Sequence, residues 1–348
     1  MSVFSERRRR LLAEAGGRQV LAATGPNLFY LTDFYGGGIG VVKPDRTIVV
    51  TSVLECDRAK EVGKEVEVVK VKKRADIEKV ALSYLEKGKV VVDRDLEFAK
   101  GKRLRLKPEV YLEARRMKDQ EELDRIGRAS KGLDNIFKAL EGVIRPGRTG
   151  WEIGAEIMRD ATANQMTPSS GDVSLSPLIV GAGSDGALPH CDLSDKKVRA
   201  GDFVVVDIFF RYRGYHSDST RTFAVGSVSS EMKKAYEAVK EAQAAALAAI
   251  ADGAVCGDVN EAAVGVLRKH KLARYLNHSI GHGVGIAIHE LPQIMKGNKV
   301  KLKVGDVVTD EPGVYFKGRF GVRIEDTIAL GKKPSVLTRY TKDMVTLG

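Results

Sequence analysis

Three cysteines, one tryptophan and six histidines in 348 residues leave little material for several kinds of chemistry. Cys56, Cys191 and Cys256 are odd in number and widely spaced. They form neither a disulfide framework nor a metal-type cluster, and they fit a reducing cytoplasm. Cys191 follows His190 and is read as a packing residue, with a thiol near a site as the second reading. No apolar run approaches the about 20 residues a spanning helix needs, so no membrane partner is expected. The N-terminal MSVFSERRRRLLAEAG opens with positive charge but lacks the apolar h-region of a signal peptide, and reads as a helix with a solvated basic face. The formal net charge is +11, yet the basic residues alternate with acids, as in Lys60-Glu-Val-Gly-Lys-Glu-Val-Glu67. Without a basic stripe, interleaved aromatics or zinc-finger spacing, no nucleic-acid partner is expected.

A hydrophobic content of 43% over this length is ample for two domains. Residues 1–113 alternate helical and β patterns: a basic helix at 5–15, strands near 39–42, 47–51, 66–71 and 89–93, and helices near 53–62 and 75–87. They predict an α/β layer. This unit has no histidine, and Gly36-Gly37-Gly38 lacks the spacing of a phosphate cradle. Its expected role is to cover the site of the other unit or to dimerise. A second unit, 114–348, opens on a charged helix running toward Leu140. Thr149 is the N-cap of a helix at 151–163. The segment 171–190 is strand-like and then Gly-rich, and further helices are expected at 229–251 and 258–271. The order helix, helix, acid-bearing hairpin occurs in 114–226 and again in 229–331, which predicts a pseudo-symmetric α+β domain.

Phe203 to Phe210 is an apolar run rich in β-branched and aromatic residues, the pattern of a buried strand, and one acid, Asp207, interrupts it. Gly214 marks a turn, and 216–225 reads as a return strand carrying Asp218. Buried carboxylates side by side repel unless a cation lies between them. A lone pair of this kind is more often structural. Here a second unit follows, with Glu311 and Glu325 interrupting apolar runs around Gly318 and Gly321, and between the two units lie His278, His282 and His289. Four convergent carboxylates and one imidazole suit two divalent cations bridged by carboxylates.

Asp207, Gly214-Tyr-x-Ser-Asp218-x-Thr-Arg-Thr222, His278-x-x-x-His282-Gly-x-Gly-x-x-x-His289-Glu-x-Pro292, Glu311-Pro-Gly and Arg323-Ile-Glu325-Asp together resemble the pita-bread metallopeptidases, the creatinase/methionine aminopeptidase-like family. Within it the chain is similar to the Xaa-Pro branch, prolidase and aminopeptidase P. Asn27-Leu-Phe-Tyr-Leu-Thr-Asp-Phe34 resembles the creatinase-type N-terminal domain, and Arg116-Met-Lys-x-x-x-Glu122 the entry to the catalytic domain. One departure is Ile208-Phe209 after Asp207, where relatives often carry a Gly two residues on.

The resemblance implies a pita-bread catalytic domain in which Asp207 chelates one metal, His282 and Glu311 the other, and Asp218 and Glu325 bridge both. Carboxylate-rich ligation favours Mn²⁺ or Co²⁺, with Zn²⁺ the alternative. A hydroxide shared between the metals is the implied nucleophile and Glu311 the implied general base. His278 and His289 are implied to bind substrate and stabilise the tetrahedral intermediate, with His190 on the substrate side and Arg323 paired to a carboxylate. His278 has a plainer reading as a loop cap, and His216 and His270 read as ordinary surface or satisfied residues. The implied reaction is hydrolysis of the bond before proline in a small peptide with proline second, by a homodimer. A prolidase takes dipeptides and aminopeptidase P longer peptides. Gln293, where prolidase-like relatives often have Arg, weakens the dipeptide reading without reversing it. A methionine aminopeptidase is disfavoured by the N-terminal domain, and a creatinase or a non-catalytic binding relative by the full ligand set.

Overall fold

A computed structural model describes residues 2–97, 104–168 and 178–348. Residues 171–177 of the segment expected to be strand-like and then Gly-rich over 171–190 lie outside the described residues. The chain divides into two compact units, residues 1–117 and 118–348.

The first unit runs α1 (Val3–Glu14), β1 (Gln19–Ala22), α2 (Gly25–Thr32), β2 (Ile39–Val42), β3 (Thr47–Ser52), α3 (Val53–Val62), β4 (Val66–Val71), α4 (Asp76–Ser83), β5 (Val90–Val92), β6 (Leu104–Leu106) and α5 (Pro108–Arg116). Its sheet has the order β4-β3-β2-β1-β5-β6, with helices packed on it. The basic face of α1 is solvated only in part: Arg9 is exposed, as the sequence pattern predicts, and the two residues before it are not. Arg7 and Arg8 are buried. The Arg7 guanidinium lies over the rings of Phe4 and Tyr30, and Arg8 donates to the Asp45 carbonyl and pairs with Glu65. A planar, weakly hydrated guanidinium tolerates such burial where an ammonium does not. The helix expected to continue through Arg116 is instead two helices, α5 ending at Arg116 and the next beginning at Gln120.

The second unit contains α6 (Gln120–Leu140), α7 (Gly150–Ala163), β7 (Thr167–Pro168), β8 (Leu178–Ala182), β9 (Phe203–Tyr212), β10 (Tyr215–Val225), α8 (Ser230–Ala249) and α9 (Cys256–Lys269). It continues with β11 (Gly281–Gly283), β12 (Glu290–Ile294), β13 (Val307–Asp310), β14 (Gly313–Phe316), β15 (Phe320–Arg323), β16 (Asp326–Leu330), β17 (Pro334–Val336) and β18 (Thr346–Leu347). Two helices followed by a sheet occur twice, as the sequence order predicts. The first half packs α6 and α7 through Leu133, Ile136, Ile153 and Ile157 against Val204, Val206, Ile208 and Phe210 of β9. The second packs α8 and α9 through Val239, Val259 and Ala263 against Val308 and Ile328. The apolar run of β9 is therefore buried on both faces. Its even-numbered residues meet the helices, and strand alternation turns Asp207 and Phe209 to the other side. Among the described residues no helix is long and apolar enough to cross a membrane.

Thr149 caps α7 in a reciprocal box: its hydroxyl accepts from the Glu152 N–H and its own N–H donates to the Glu152 carboxylate. Thr149→Ala is expected to lower stability by about 1 kcal/mol, read as a lower denaturant midpoint at unchanged slope.

Candidate metal centre

β9 and β10 form a hairpin on a two-residue turn, Arg213-Gly214, both at positive φ, of 46° and 87°. Gly supplies the second of these at no steric cost. The register sets Asp207 opposite Thr220 and Asp218 opposite Phe209. The two acids are diagonal neighbours on one face, not directly opposed.

The second pair of acids is held differently from the hairpin the sequence suggests. β13 pairs with β16, and β14 pairs with β15 as a separate two-stranded sheet. Glu311 follows the last residue of β13 and Glu325 precedes the first of β16, where Asp310 faces Asp326. Both acids thus occupy the breaks between the two strand pairs, which frees their side chains from the ladder. His282 lies in β11, at a register shift against β12. Its N–H donates to the Thr309 hydroxyl (3.0 Å).

The two halves are sewn together by hydroxyls. Thr220 donates to Glu325 Oε2 (2.7 Å), Ser219 to the Glu325 carbonyl (2.8 Å), Thr222 to the Arg323 carbonyl (2.9 Å) and Thr327 to the Asp218 carbonyl (2.8 Å). The polar run Ser217–Thr222 is for this reason wholly buried.

His282 Nε2 lies 3.6 Å from Asp218 Oδ2 and 3.5 Å from Glu311 Oε1. Ligand atoms of Asp218, His282 and Glu325 all fall within 4.8 Å of one another. Three buried oxygens in this cluster have no hydrogen-bond partner: Asp207 Oδ1, Asp218 Oδ1 and Glu325 Oε1. Burial and the neighbouring acids push the carboxyls of Asp218 and Glu325 well above the ordinary range. Burial also raises Glu311 to about 8, against the pull of Arg323. Burial and the adjacent His289 lower His282 to about 3, so its ring is neutral. With Nδ1 at 3.0 Å from the Gly283 carbonyl and donating to it, Nε2 presents a lone pair to the cluster. Orphaned carboxylate oxygens around a neutral imidazole are a donor set for a hard divalent cation, and the Asp218, His282 and Glu325 group fits one.

Arg323 is the one cation among these groups, and its Nη2 lies 2.5 Å from Asp207 Oδ2. Its Nη1 donates to the Tyr315 hydroxyl (2.6 Å), which is 2.8 Å from His278 Nε2. His278 Nδ1 is 2.7 Å from the Ser279 carbonyl. The assignment that satisfies every partner runs Arg323 to Tyr315 to His278 Nε2, with Nδ1–H donating to Ser279. Burial and Arg323 hold His278 down, at about 4. His289 meets the His282 ring edge to face at 4.3 Å. His190 is exposed at the mouth, and burial with Arg323 nearby lowers its imidazole.

Of the nine residues singled out by sequence, eight line one cavity of about 230 Å³, and Glu325 lies buried beneath it. Phe209, Ile179, Ile288 and Gln293 also line it. Tyr315 carries no sequence signal of its own, and nothing local shows which oxygens the hydroxyls of Ser219, Thr220, Thr222 and Thr327 reach. Buried His216, expected at the surface or satisfied, holds the Gly285 carbonyl through Nδ1 (3.1 Å) while its Nε2 has no partner. His270 pairs with Glu241 at an exposed position. Cys191 is buried outside the cavity, its thiol pushed up to about 11 by burial. A larger cavity, about 940 Å³, lies in the first unit between Lys72, Arg74 and Arg94 and Glu55, Glu78 and Glu97. Its mixed charges include no imidazole, and the chemistry belongs to the smaller cavity.

Residues 124–332 match the model of metallopeptidase family M24, and residues 5–125 that of the creatinase/prolidase N-terminal domain. Probable dipeptidase PepE of Mycobacterium tuberculosis is 38% identical over 232 residues, 66% of this chain and 60% of that protein, so the match spans less than two thirds of this relative's length. The Xaa-Pro dipeptidase of Pyrococcus furiosus is 33% identical over 325 residues, 90% of each chain. Among solved structures, the Xaa-Pro dipeptidase from Bacillus anthracis superposes with a TM-score of 0.90 at 28% identity, over 99% of this chain and 100% of that one. The X-Pro aminopeptidase from Thermotoga maritima does so with 0.88 at 26%, over 99% of each.

Proposed function

The chain belongs to metallopeptidase family M24, and on that premise we propose that it hydrolyses the bond before proline in Xaa-Pro dipeptides. The observation that carries this reading is the set of orphaned carboxylate oxygens, Asp207 Oδ1, Asp218 Oδ1 and Glu325 Oε1, around one small cavity. In this reading Asp207 holds one divalent cation, His282 and Glu311 the other, and Asp218 and Glu325 serve both, with Mn²⁺ or Co²⁺ the expected metals. When bound, such cations supply Lewis acidity and make water a nucleophile near neutral pH.

The protein's own groups then divide the remaining work. Among Glu311, Asp207 and Asp218, Glu311 has the most open side chain, at 16% against 12% and 7%. A base that must exchange its proton with water belongs at that position. His278 has both ring nitrogens engaged and holds Tyr315, while His289 and His190 are exposed and stand as the substrate-facing imidazoles. Arg323 balances Asp207 and fixes its orientation. The bond before proline has no N–H, so recognition rests on shape, and Phe209, Ile179 and Ile288 offer apolar walls.

The cavity, about 230 Å³, is below the roughly 300–1,000 Å³ of drug-sized sites, which favours a dipeptide. Gln293 favours the second reading, aminopeptidase P, because a neutral amide offers no charge to a free carboxylate. A cytoplasmic homodimer completes the reading. The test is hydrolysis of Ala-Pro and Ala-Pro-Ala by chelated protein reloaded with Mn²⁺ or Co²⁺. The dipeptide is expected to be preferred by at least about tenfold in kcat/KM, equal to about 1.4 kcal/mol. The reverse preference makes the protein an aminopeptidase P, and cleavage of neither overturns the reading.

A further inference from the structure

The opening of the second unit, Lys118-Asp-Gln-Glu-Glu122, supplies no group to the cavity, yet two of its charged residues, Lys118 and Glu122, are buried. Lys118 Nζ lies 3.2 Å from Glu290 Oε2, and both side chains are 1% exposed. The other oxygen of Glu290 accepts the Ala287 N–H at 3.0 Å, across the loop that presents His289. Gly285 begins this loop, and a Cβ there would stand 2.6 Å from Glu290 Oε2, so the loop is packed directly on the ion pair. The backbone of Lys118 is anchored in turn, its N–H donating to the Gly305 carbonyl at 2.9 Å.

Four residues along, Glu122 does two things. One oxygen closes the N-terminal capping box of α6 with Asp119, and the other accepts the Tyr215 hydroxyl at 3.0 Å. Tyr215 opens β10, the strand of Asp218. Next to it, His216 joins the same strand to the loop, with its N–H at 2.8 Å and its Nδ1 at 3.1 Å from the Gly285 carbonyl. One helix N-terminus therefore grips both the loop of His289 and the strand of Asp218, and the two are tied directly to each other.

We propose that Lys118 and Glu290 are positioning residues: their buried ion pair, locked to β10 through Glu122–Tyr215 and His216–Gly285, sets the His289 ring against His282 for the substrate. This inference rests on the reading that His289 faces an Xaa-Pro peptide. Removing one partner of a buried pair leaves the other charge uncompensated. Glu290 then keeps the Ala287 N–H but loses its lysine, and residues 285–290 are held less firmly. Removing both charges lifts that penalty but leaves the loop less firmly held.

The experiment compares Lys118→Met, Lys118→Arg, Glu290→Gln and the Lys118→Met/Glu290→Gln double variant in the full chain loaded with Mn²⁺. Read-outs are Mn²⁺ stoichiometry, kcat and KM for Ala-Pro, and the His289 ring resonance in ¹³C-histidine-labelled protein loaded with diamagnetic Zn²⁺. Lys118→Met is expected to lower kcat by about 10- to 100-fold, the range seen when an orienting partner is removed, with two cations still bound and KM within about threefold. Lys118→Arg restores most of the rate, the double variant exceeds Lys118→Met alone, and the His289 resonance shifts in Lys118→Met but not in Lys118→Arg. Wild-type kcat in metal-loaded Lys118→Met, or a loss of rate that only tracks lost metal, overturns the proposal. Should Lys118→Met fail to fold, Glu290→Gln, which keeps an acceptor for Ala287, carries the same expectation. If the wild type cleaves no Xaa-Pro peptide, the peptidase reading has failed, and an unshifted His289 resonance separately overturns the positioning role.

Discussion

Replacing Glu325 with Gln is expected to abolish peptidase activity, with kcat/KM falling by at least about 1,000-fold, or about 4 kcal/mol, while the fold survives. Glu325 is 1% exposed, with one oxygen held by the Thr220 hydroxyl and the other without a partner. Gln keeps the shape and an acceptor for Thr220, yet removes the charge that both proposed cations share. Stability should move the opposite way in chelated protein. Burial, Asp218 and Glu311 all penalise the Glu325 carboxylate, so the neutral amide relieves repulsion when no cation is present. The checks are metal stoichiometry, activity on Ala-Pro, and the melting temperature of the chelated variant. A variant that binds two cations and cleaves at the normal rate removes Glu325 from the site.

Chelation of the wild type is the second large effect. A ligand that binds only the native state stabilises it by about 4 kcal/mol at 1,000 times its dissociation constant. For a unit of this size each kcal/mol shifts the melting temperature by about 2–4 °C, so metal removal is expected to lower it by roughly 8–16 °C. The pH dependence has a definite sign. In cation-free protein burial raises Glu311 from 4.5 to about 8, and Asp218 and Glu325 are raised as well. Above about pH 6.5 the buried His216, His278 and His282 are neutral in folded and unfolded chain alike, so the raised acids make the folded state bind more protons, and the stability of chelated protein falls as pH rises from about 6.5 toward 8. Cations must displace these protons, so their apparent affinity rises over the same interval. Melting curves at pH 6, 7 and 8 with and without Mn²⁺ test both statements: the gap between the two forms should widen with pH. A gap that closes would show that these acids are not the ones that hold the cations.

Asp207, Glu311 and Glu325 were legible in the sequence because each interrupts an apolar run, and a charge is not buried in such a place without compensation. Asp218 stood out as the acid on the return strand that folds back on Asp207, and the His278–His289 segment through its three histidines. The repeated order of helices and strands was legible for the same reason, since periodicity is a local property. What escaped was set by distant contact. Ser217 to Thr222 reads only as part of a return strand until Glu325, Arg323 and Thr327 come to meet its hydroxyls. Arg7 and Arg8 read as a wet face until Tyr30 and Glu65 close over them. The breaks at Glu311 and Glu325 come from a change of strand partner, which a chain folded on paper as a simple hairpin does not show. Tyr315 looks like any strand aromatic, and only its hydroxyl between Arg323 and His278 distinguishes it.

The hydroxyl seam between the two halves also bears on how the protein acquires its site in time. Asp207 and Asp218 are brought together by a two-residue turn, an event that needs no other part of the chain. Thr220 and Glu325, by contrast, meet across 105 residues. Closing so long a loop has an entropic cost that contacts reward only after closure. Each half can therefore build its helices and strands first, and the cluster exists only once they have docked. A cation has little to bind before that moment, so its concentration governs how long the docked state lasts more than how quickly it is reached. The first cation-dependent signal during refolding marks the meeting of the two halves.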